Sequence, residues 1–156
     1  MAEALRPRPA VNLDNAFYFD ALRAGRLVCQ QCSDCSEFRH PPVPCCPRCH
    51  SFAWQETPLS GRGELITYTV LHHPVMPPFA AGYVVGLVEF AEGVRIVMNL
   101  EIAEEDVAIG MEVEVRAIPY DPELTLPAGF IPGAPSDVLS STETGGTAAG
   151  EKTKEA

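Results

Sequence analysis

The stretch Cys29-Gln-Gln-Cys32-Ser-Asp-Cys35-Ser-Glu-Phe-Arg-His-Pro-Pro-Val-Pro-Cys45-Cys46-Pro-Arg-Cys49 decides how this chain is read. It contains two C-x-x-C turns, Cys32/Cys35 and Cys46/Cys49, ten residues apart. Such turns form knuckles whose backbone N–H groups point at the sulfurs, and a hairpin between them closes four thiolates around one tetrahedral ion. Zinc fits that donor set, with Zn–S bonds of about 2.3 Å. Two more cysteines blur the register. Cys29 continues the apolar run Leu27-Val28-Cys29, as a buried strand residue does. Cys45 makes a four-residue spacing with Cys49, and Pro47 suits the turn of the shorter loop better. The expected ligands are therefore Cys32, Cys35, Cys46 and Cys49. Disulfides are the competing use of these thiols, and they belong to oxidising compartments.

Working outward, residues 26–56 form a ribbon module with a rubredoxin-like arrangement. Arg26-Leu-Val-Cys-Gln-Gln leads into the first knuckle as a strand, and the prolines of Pro41-Pro42-Val43-Pro44 hold the connection extended. Phe52 and Trp54 alternate after the second knuckle and are expected to cover one side of the metal. About thirty residues cannot build a full core, so the metal supplies much of the folding energy. Residues 1–25 read as an arm with Pro7 and Pro9 followed by a short helix over 12–24. Asn12 or Asp14 would cap it, and Gly25 supplies the left-handed residue past its end.

After the ribbon, residues 57–120 carry strand candidates at 64–71, 83–90, 95–100 and 112–117, rich in Val, Ile and Tyr. Ala91-Glu92-Gly93 is a hairpin turn, and Ile109-Gly110-Met111 is a second turn signal. Short strands at this density suit a small OB-type β-barrel, with an open sheet as the alternative. Residues 121–135 lose periodicity and are expected to run extended over the barrel or a partner. Residues 136–156 have the composition of a flexible tail. The fold class is thus mainly β.

Composition excludes several functions. The net charge is −10, and the only lysines are Lys152 and Lys154. Between Gly61 and Ala117 three arginines face nine carboxylates. That opposes a nucleic-acid-binding ribbon and barrel, the architectural alternative, because such binding neutralises phosphates with Lys and Arg. No apolar run approaches the roughly 18 residues needed to cross a membrane, and no secretory h-region is visible, so a cytoplasmic location is expected. No catalytic residues are assigned. A closed four-thiolate site leaves no position for a reacting water. No Ser/His/Asp arrangement, phosphate loop or metalloprotease helix is present. His72 and His73 could serve as acid/base groups, but adjacent strand residues point to opposite faces, and their expected place is a loop or rim. A rubredoxin-like iron carrier would use the same four cysteines but would need no barrel.

The order of these parts resembles the zinc-ribbon/OB-fold proteins that accompany thiolase-superfamily enzymes acting on acyl-CoA. The resemblance covers about residues 14–132. It rests on Phe17-Tyr-Phe-Asp-Ala-Leu-Arg-Ala-Gly-Arg-Leu, the two knuckles, Ser60-Gly-Arg-Gly-Glu-Leu, Leu87-Val-Glu-Phe-Ala-Glu-Gly-Val-Arg and Ile109-Gly-Met-Glu-Val-Glu-Val. Ser36 departs from it, standing where such ribbons often carry glycine. The resemblance implies a non-catalytic subunit that binds a thiolase or thiolase-like aldolase and helps form its acyl-CoA site. The carbon–carbon lyase or acyltransferase chemistry would then belong to the partner. His72-His73-Pro74 and Leu126-Pro127 resemble the subfamily paired with aldolases in steroid side-chain breakdown. If the barrel contributes to an acyl-CoA site, arginines must meet its phosphates, and Arg62 and Arg95 are the candidates.

Overall fold

The structure, a computed structural model, describes residues 6–75 and 77–135. The tail assigned to 136–156 lies outside the described residues. One helix, α1 (Ala16–Arg23), precedes a three-stranded antiparallel sheet of β1 (Val28–Cys32), β2 (Phe38–Arg39) and β3 (Trp54–Pro58), in the order β2-β1-β3. A closed barrel follows. It is built from β4 (Arg62–Leu71), β5 (Tyr83–Phe90), β6 (Arg95–Leu100), β7 (Glu112–Asp121) and β8 (Leu124–Phe130), in the order β4-β5-β6-β8-β7.

The helix is shorter than the sequence pattern predicts. The Asn12 side chain accepts the backbone N–H groups of Asp14 (2.9 Å) and Asn15 (3.2 Å), and Asn15 accepts that of Asn12 at 2.8 Å. These bonds stabilise a separate turn, so the helix begins only at Ala16. Its end is as expected. Gly25 takes φ +73°, its N–H bonds the Leu22 carbonyl, and Arg26 N–H reaches back to Ala21. That pair of bonds is a Schellman motif. Tyr18, Ala21 and Leu22 pack on Val28 of the ribbon and on Ala117 of the barrel, wedging the helix between the two modules. The arm before it is tied down by Arg6, whose guanidinium stacks on Tyr120 (3.7 Å) and Phe79 (5.0 Å), and by Arg8 on Asp121 at 2.9 Å.

The barrel differs from the sequence reading at its end. The stretch expected to lie extended over the barrel is part of its wall. β8 runs antiparallel to β7 from Asp121↔Leu124 to Glu114↔Phe130. It closes onto β6 through a parallel pairing of two residues, Asn99↔Ala128 and Leu100↔Gly129. Gly129 is required there, since a Cβ would stand 2.6 Å from Leu100 Cδ2 and 2.7 Å from Val113 Cγ1. On the other side β4 joins β7 over Arg62–Glu64.

The barrel interior is filled by Leu65, Val84, Val88, Phe90, Ile96 and Leu100 together with Val113 and Val115 from β7. Cys29 of β1 belongs to this same cluster, and Leu27 and Phe38 pack against it. Ribbon and barrel therefore share one apolar core. Among the described residues no helix is long and apolar enough to cross a membrane.

Candidate metal centre and the barrel surface

The two knuckles are built alike. Cys32 N–H bonds Glu37 O (2.9 Å) while Ser36 N–H bonds Cys32 O (3.0 Å); Cys46 N–H bonds Ser51 O and His50 N–H bonds Cys46 O, both at 2.9 Å. The fifth position of each, Ser36 (φ +61°) and His50 (φ +62°), is left-handed. Left-handed backbone normally favours glycine, so the turn in question at Ser36 keeps its knuckle shape without one.

The four sulfurs of Cys32, Cys35, Cys46 and Cys49 lie within 4.8 Å of one another. Two edges of the group, Cys32–Cys49 and Cys35–Cys46, measure 3.6 Å. A tetrahedron with Zn–S bonds of 2.3 Å has edges of about 3.8 Å. The other two cysteines point elsewhere. Buried Cys29 donates its thiol to Arg39 O at 3.3 Å, and burial pushes that thiol up to about 11. The thiol of Cys45 turns to the Cys46 carbonyl, 3.8 Å away.

Electrostatics within the group also ask for a cation. The backbone N–H groups of Cys35 and Asp34 bring the Cys32 thiol down to about 6, and the N–H groups of Cys49 and Arg48 lower Cys46. Cys49 receives the Ser51 N–H yet is held up, to about 12, by the crowding sulfurs of Cys35, Cys32 and Cys46. Thiolates so close cannot all ionise unless a cation sits among them. A soft, closed, four-sulfur set suits zinc or iron.

Two residues that sequence reasoning passed over complete the module. Gln30 and Arg39 form a register pair and are almost fully buried, at 1% and 3% exposure. Gln30 Oε1 accepts the Val43 N–H (3.0 Å), and Arg39 Nη1 donates to the Val43 carbonyl (3.2 Å). Both backbone polar groups of Val43 are thus held, which fixes the proline-rich connection between the knuckles. Phe52 does not form a cover as expected, since it is 73% exposed, and Trp54 packs on Phe17 of the helix, ring centroids 4.5 Å apart and tilted by 42°.

The barrel candidates are placed less favourably for anion binding. Arg95 is paired with Glu89 of the neighbouring strand. Arg62 is exposed and opposes Glu114, whose carboxylate is held at about 2, first by Arg116 at 2.8 Å and then by the Gly133 N–H. Both arginines are exposed, near the starts of β4 and β6. His72 lies in the loop after β4, 3.5 Å from Glu104, and His73 is exposed beside it.

Comparison with known proteins matches both modules. The family model described as the ChsH2 rubredoxin-like zinc ribbon domain covers residues 19–55, and that of the ChsH2 C-terminal OB-fold domain covers 56–117. A chain of the solved structure "Ltp2-ChsH2(DUF35) aldolase" overlays with a TM-score of 0.76 at 50% identity, over 80% of this chain and 98% of that one. The chain belongs to the ChsH2 (DUF35) family. It therefore carries the zinc-ribbon module and OB-type barrel of that family. Among curated relatives, a protein of Thermomonospora curvata named "Probable enoyl-CoA hydratase alpha subunit" is 51% identical over 136 residues, 86% of this chain. The "3-oxo-4,17-pregnadiene-20-carboxyl-CoA hydratase alpha subunit" of Mycobacterium tuberculosis is 38% identical over 114 residues, 72% of this chain. The chain spans only 42% and 36% of the lengths of these two relatives.

Proposed function

We propose that this chain is a non-catalytic subunit that docks on a thiolase-superfamily enzyme and helps form its acyl-CoA site. The observation that carries this reading is the match to nearly the whole length of a chain in an aldolase complex, at 50% identity. The chemistry of the chain agrees. Cys32, Cys35, Cys46 and Cys49 would hold one zinc, and four sulfurs close its coordination, so the ion has a structural role. His72 pairs with the exposed carboxylate of Glu104.

The finer reading is a steroid acyl-CoA as substrate of the assembled enzyme, supported by the substrate in the name of the mycobacterial relative. Arg62 is then the phosphate contact to test first, because Arg95 is already engaged by Glu89. Co-expression with a thiolase-like aldolase subunit tests the whole reading. A stable complex is expected, with lyase activity only in the complex and acyl-CoA affinity weakened by Arg62→Ala. Recovery of the chain as a lone, active enzyme would sink it. A second reading, service to a hydratase, follows from the names of both curated relatives. Hydration of an enoyl-CoA by the complex, without carbon–carbon cleavage, would favour it.

A further inference from the structure

Strand β5 reads Tyr83-Val-Val-Gly-Leu-Val-Glu-Phe. Its inward residues, Val84, Gly86, Val88 and Phe90, fill or line the barrel core. Its outward residues are Tyr83, Val85, Leu87 and Glu89, so all but the last are apolar. A strand apolar on both faces is one that is covered on both faces. In this fold the outward face is covered only at its Tyr83 end, where Phe79 stacks on Tyr83 at 4.9 Å; Val85 and Leu87 stay half-buried among strand neighbours.

The outward rows continue across the neighbouring strands. Leu71 of β4 pairs with Tyr83, Thr69 flanks Val85, and Thr67, Leu87 and Val97 form one row across β4, β5 and β6. Val97 is 65% exposed and Leu71 41%. The helix packs on β1, β7 and β8, and in the closed strand order β5 lies across the barrel from β7 and β8. Carboxylates bracket the apolar rows at both ends. At one end Glu112, Glu64 and Glu89 stand side by side across β7, β4 and β5, with Arg95 engaging Glu89 and Arg62 exposed nearby on β4, so carboxylates outnumber arginines there. At the other, Glu104 closes on His72 beside the start of β5.

Three occupants could cover this face, and charge and composition separate them. Residues 136–156 hold only Val138 and Leu139 as large apolar side chains, too few to fill the rows. A second copy, related by a two-fold axis, would set ends in which carboxylates outnumber arginines against each other, in a chain of net charge −10. A different protein with an apolar strip between basic side chains fits both features. An apolar centre inside a charged rim is also the usual anatomy of a protein interface.

We propose that the outward face of β4, β5 and β6 is the surface on which the partner subunit docks, and that the partner meets it with an apolar strip bracketed by Arg or Lys. The proposal rests on the subunit reading above and names the surface it uses.

The test is affinity for the co-expressed thiolase-like aldolase subunit, measured for the full chain and for Val97→Glu, Glu64→Lys and Phe52→Ser. Val97 is exposed, so Val97→Glu leaves the fold intact by circular dichroism and weakens the complex by about 30-fold or more. Glu64→Lys slows association, most strongly at low salt. Phe52→Ser, on the ribbon, binds as the wild type does. A complex unaffected by Val97→Glu but lost with Phe52→Ser overturns the surface and leaves the subunit reading standing. A lone chain that sediments as a dimer, and as a monomer with Val97→Glu, overturns it in favour of self-pairing. Failure of the wild-type chain to bind the subunit overturns the subunit reading, and the surface falls with it.

Discussion

Ser36 and His50 occupy the same place in the two knuckles and both hold left-handed backbone. Neither side chain makes a bond that needs it there, so Ser36→Gly and His50→Gly should each raise stability, by about 0.5–1 kcal/mol in denaturant melts. The cysteines give the opposite result. Cys32→Ser or Cys46→Ser should abolish binding of about one zinc per chain by metal analysis, because ribbon folding and metal binding are one event. Cys29→Ser and Cys45→Ser should keep the metal, since their sulfurs point away from the group. His40 carries a pH effect. Burial holds its imidazole near 4, and its Nδ1 is buried without a partner. The folded state therefore keeps the ring neutral while the unfolded chain takes up a proton near 6.5. Stability is full above that pH and is lost as pH falls from about 6.5 toward 4, by on the order of 2 kcal/mol after allowance for the ring's partial exposure. Comparing wild type with His40→Asn across that window isolates the effect from proton uptake by the thiolates; parallel curves would refute it.

At the scale of the element, glycines decide how closely the strands approach. A Cβ on Gly63 would stand 2.5 Å from the Glu89 carbonyl oxygen, whereas one on Gly129 meets side-chain methyls of Leu100 and Val113. A strand carbonyl cannot swing aside and a leucine methyl can. Gly63→Ala should thus cost about 3 kcal/mol and Gly129→Ala about 1–2 kcal/mol in thermal or denaturant unfolding. The same glycine explains what the sequence hid. The knuckles are legible because four-sulfur chemistry is local and its spacing is short. Four barrel strands are legible because Val, Ile and Tyr mark them. β8 is not, since Pro127 and Gly129 interrupt its pattern and its strand state comes from pairing with β7 and from the space over Leu100. The late helix start comes from Asn12 and Asn15 bonding each other's backbone, which the cap rule alone does not foresee. Buried Arg39 runs against every compositional expectation, and only the clamp on Val43 accounts for its position.

For the whole molecule, the shared core sets what metal loss can do. The barrel has its own closed ladder and interior, so a chelator should melt the ribbon and leave the barrel folded. Leu27, Cys29 and Phe38 nevertheless reach into that interior, so the damage should spread to the strands they touch. Hydrogen exchange of the chelated chain should show lost protection in β1 and β2, faster exchange near the Cys29 side of the barrel, and protection kept between β5 and β6. Uniform loss across all strands would instead mean that the barrel cannot stand without zinc.

The closing strand has a consequence for how the chain is made. The ribbon's pairings, from Gln31↔Phe38 to Val28↔Pro58, are complete once Pro58 exists, whereas the barrel's last wall awaits Leu124–Phe130. On a ribosome the metal module can therefore mature while the barrel is still an open set of strands. During that interval the cell's free zinc, rather than the rate of chain folding, would govern whether Cys29 and Phe38 are already in place as a template when the final strand arrives.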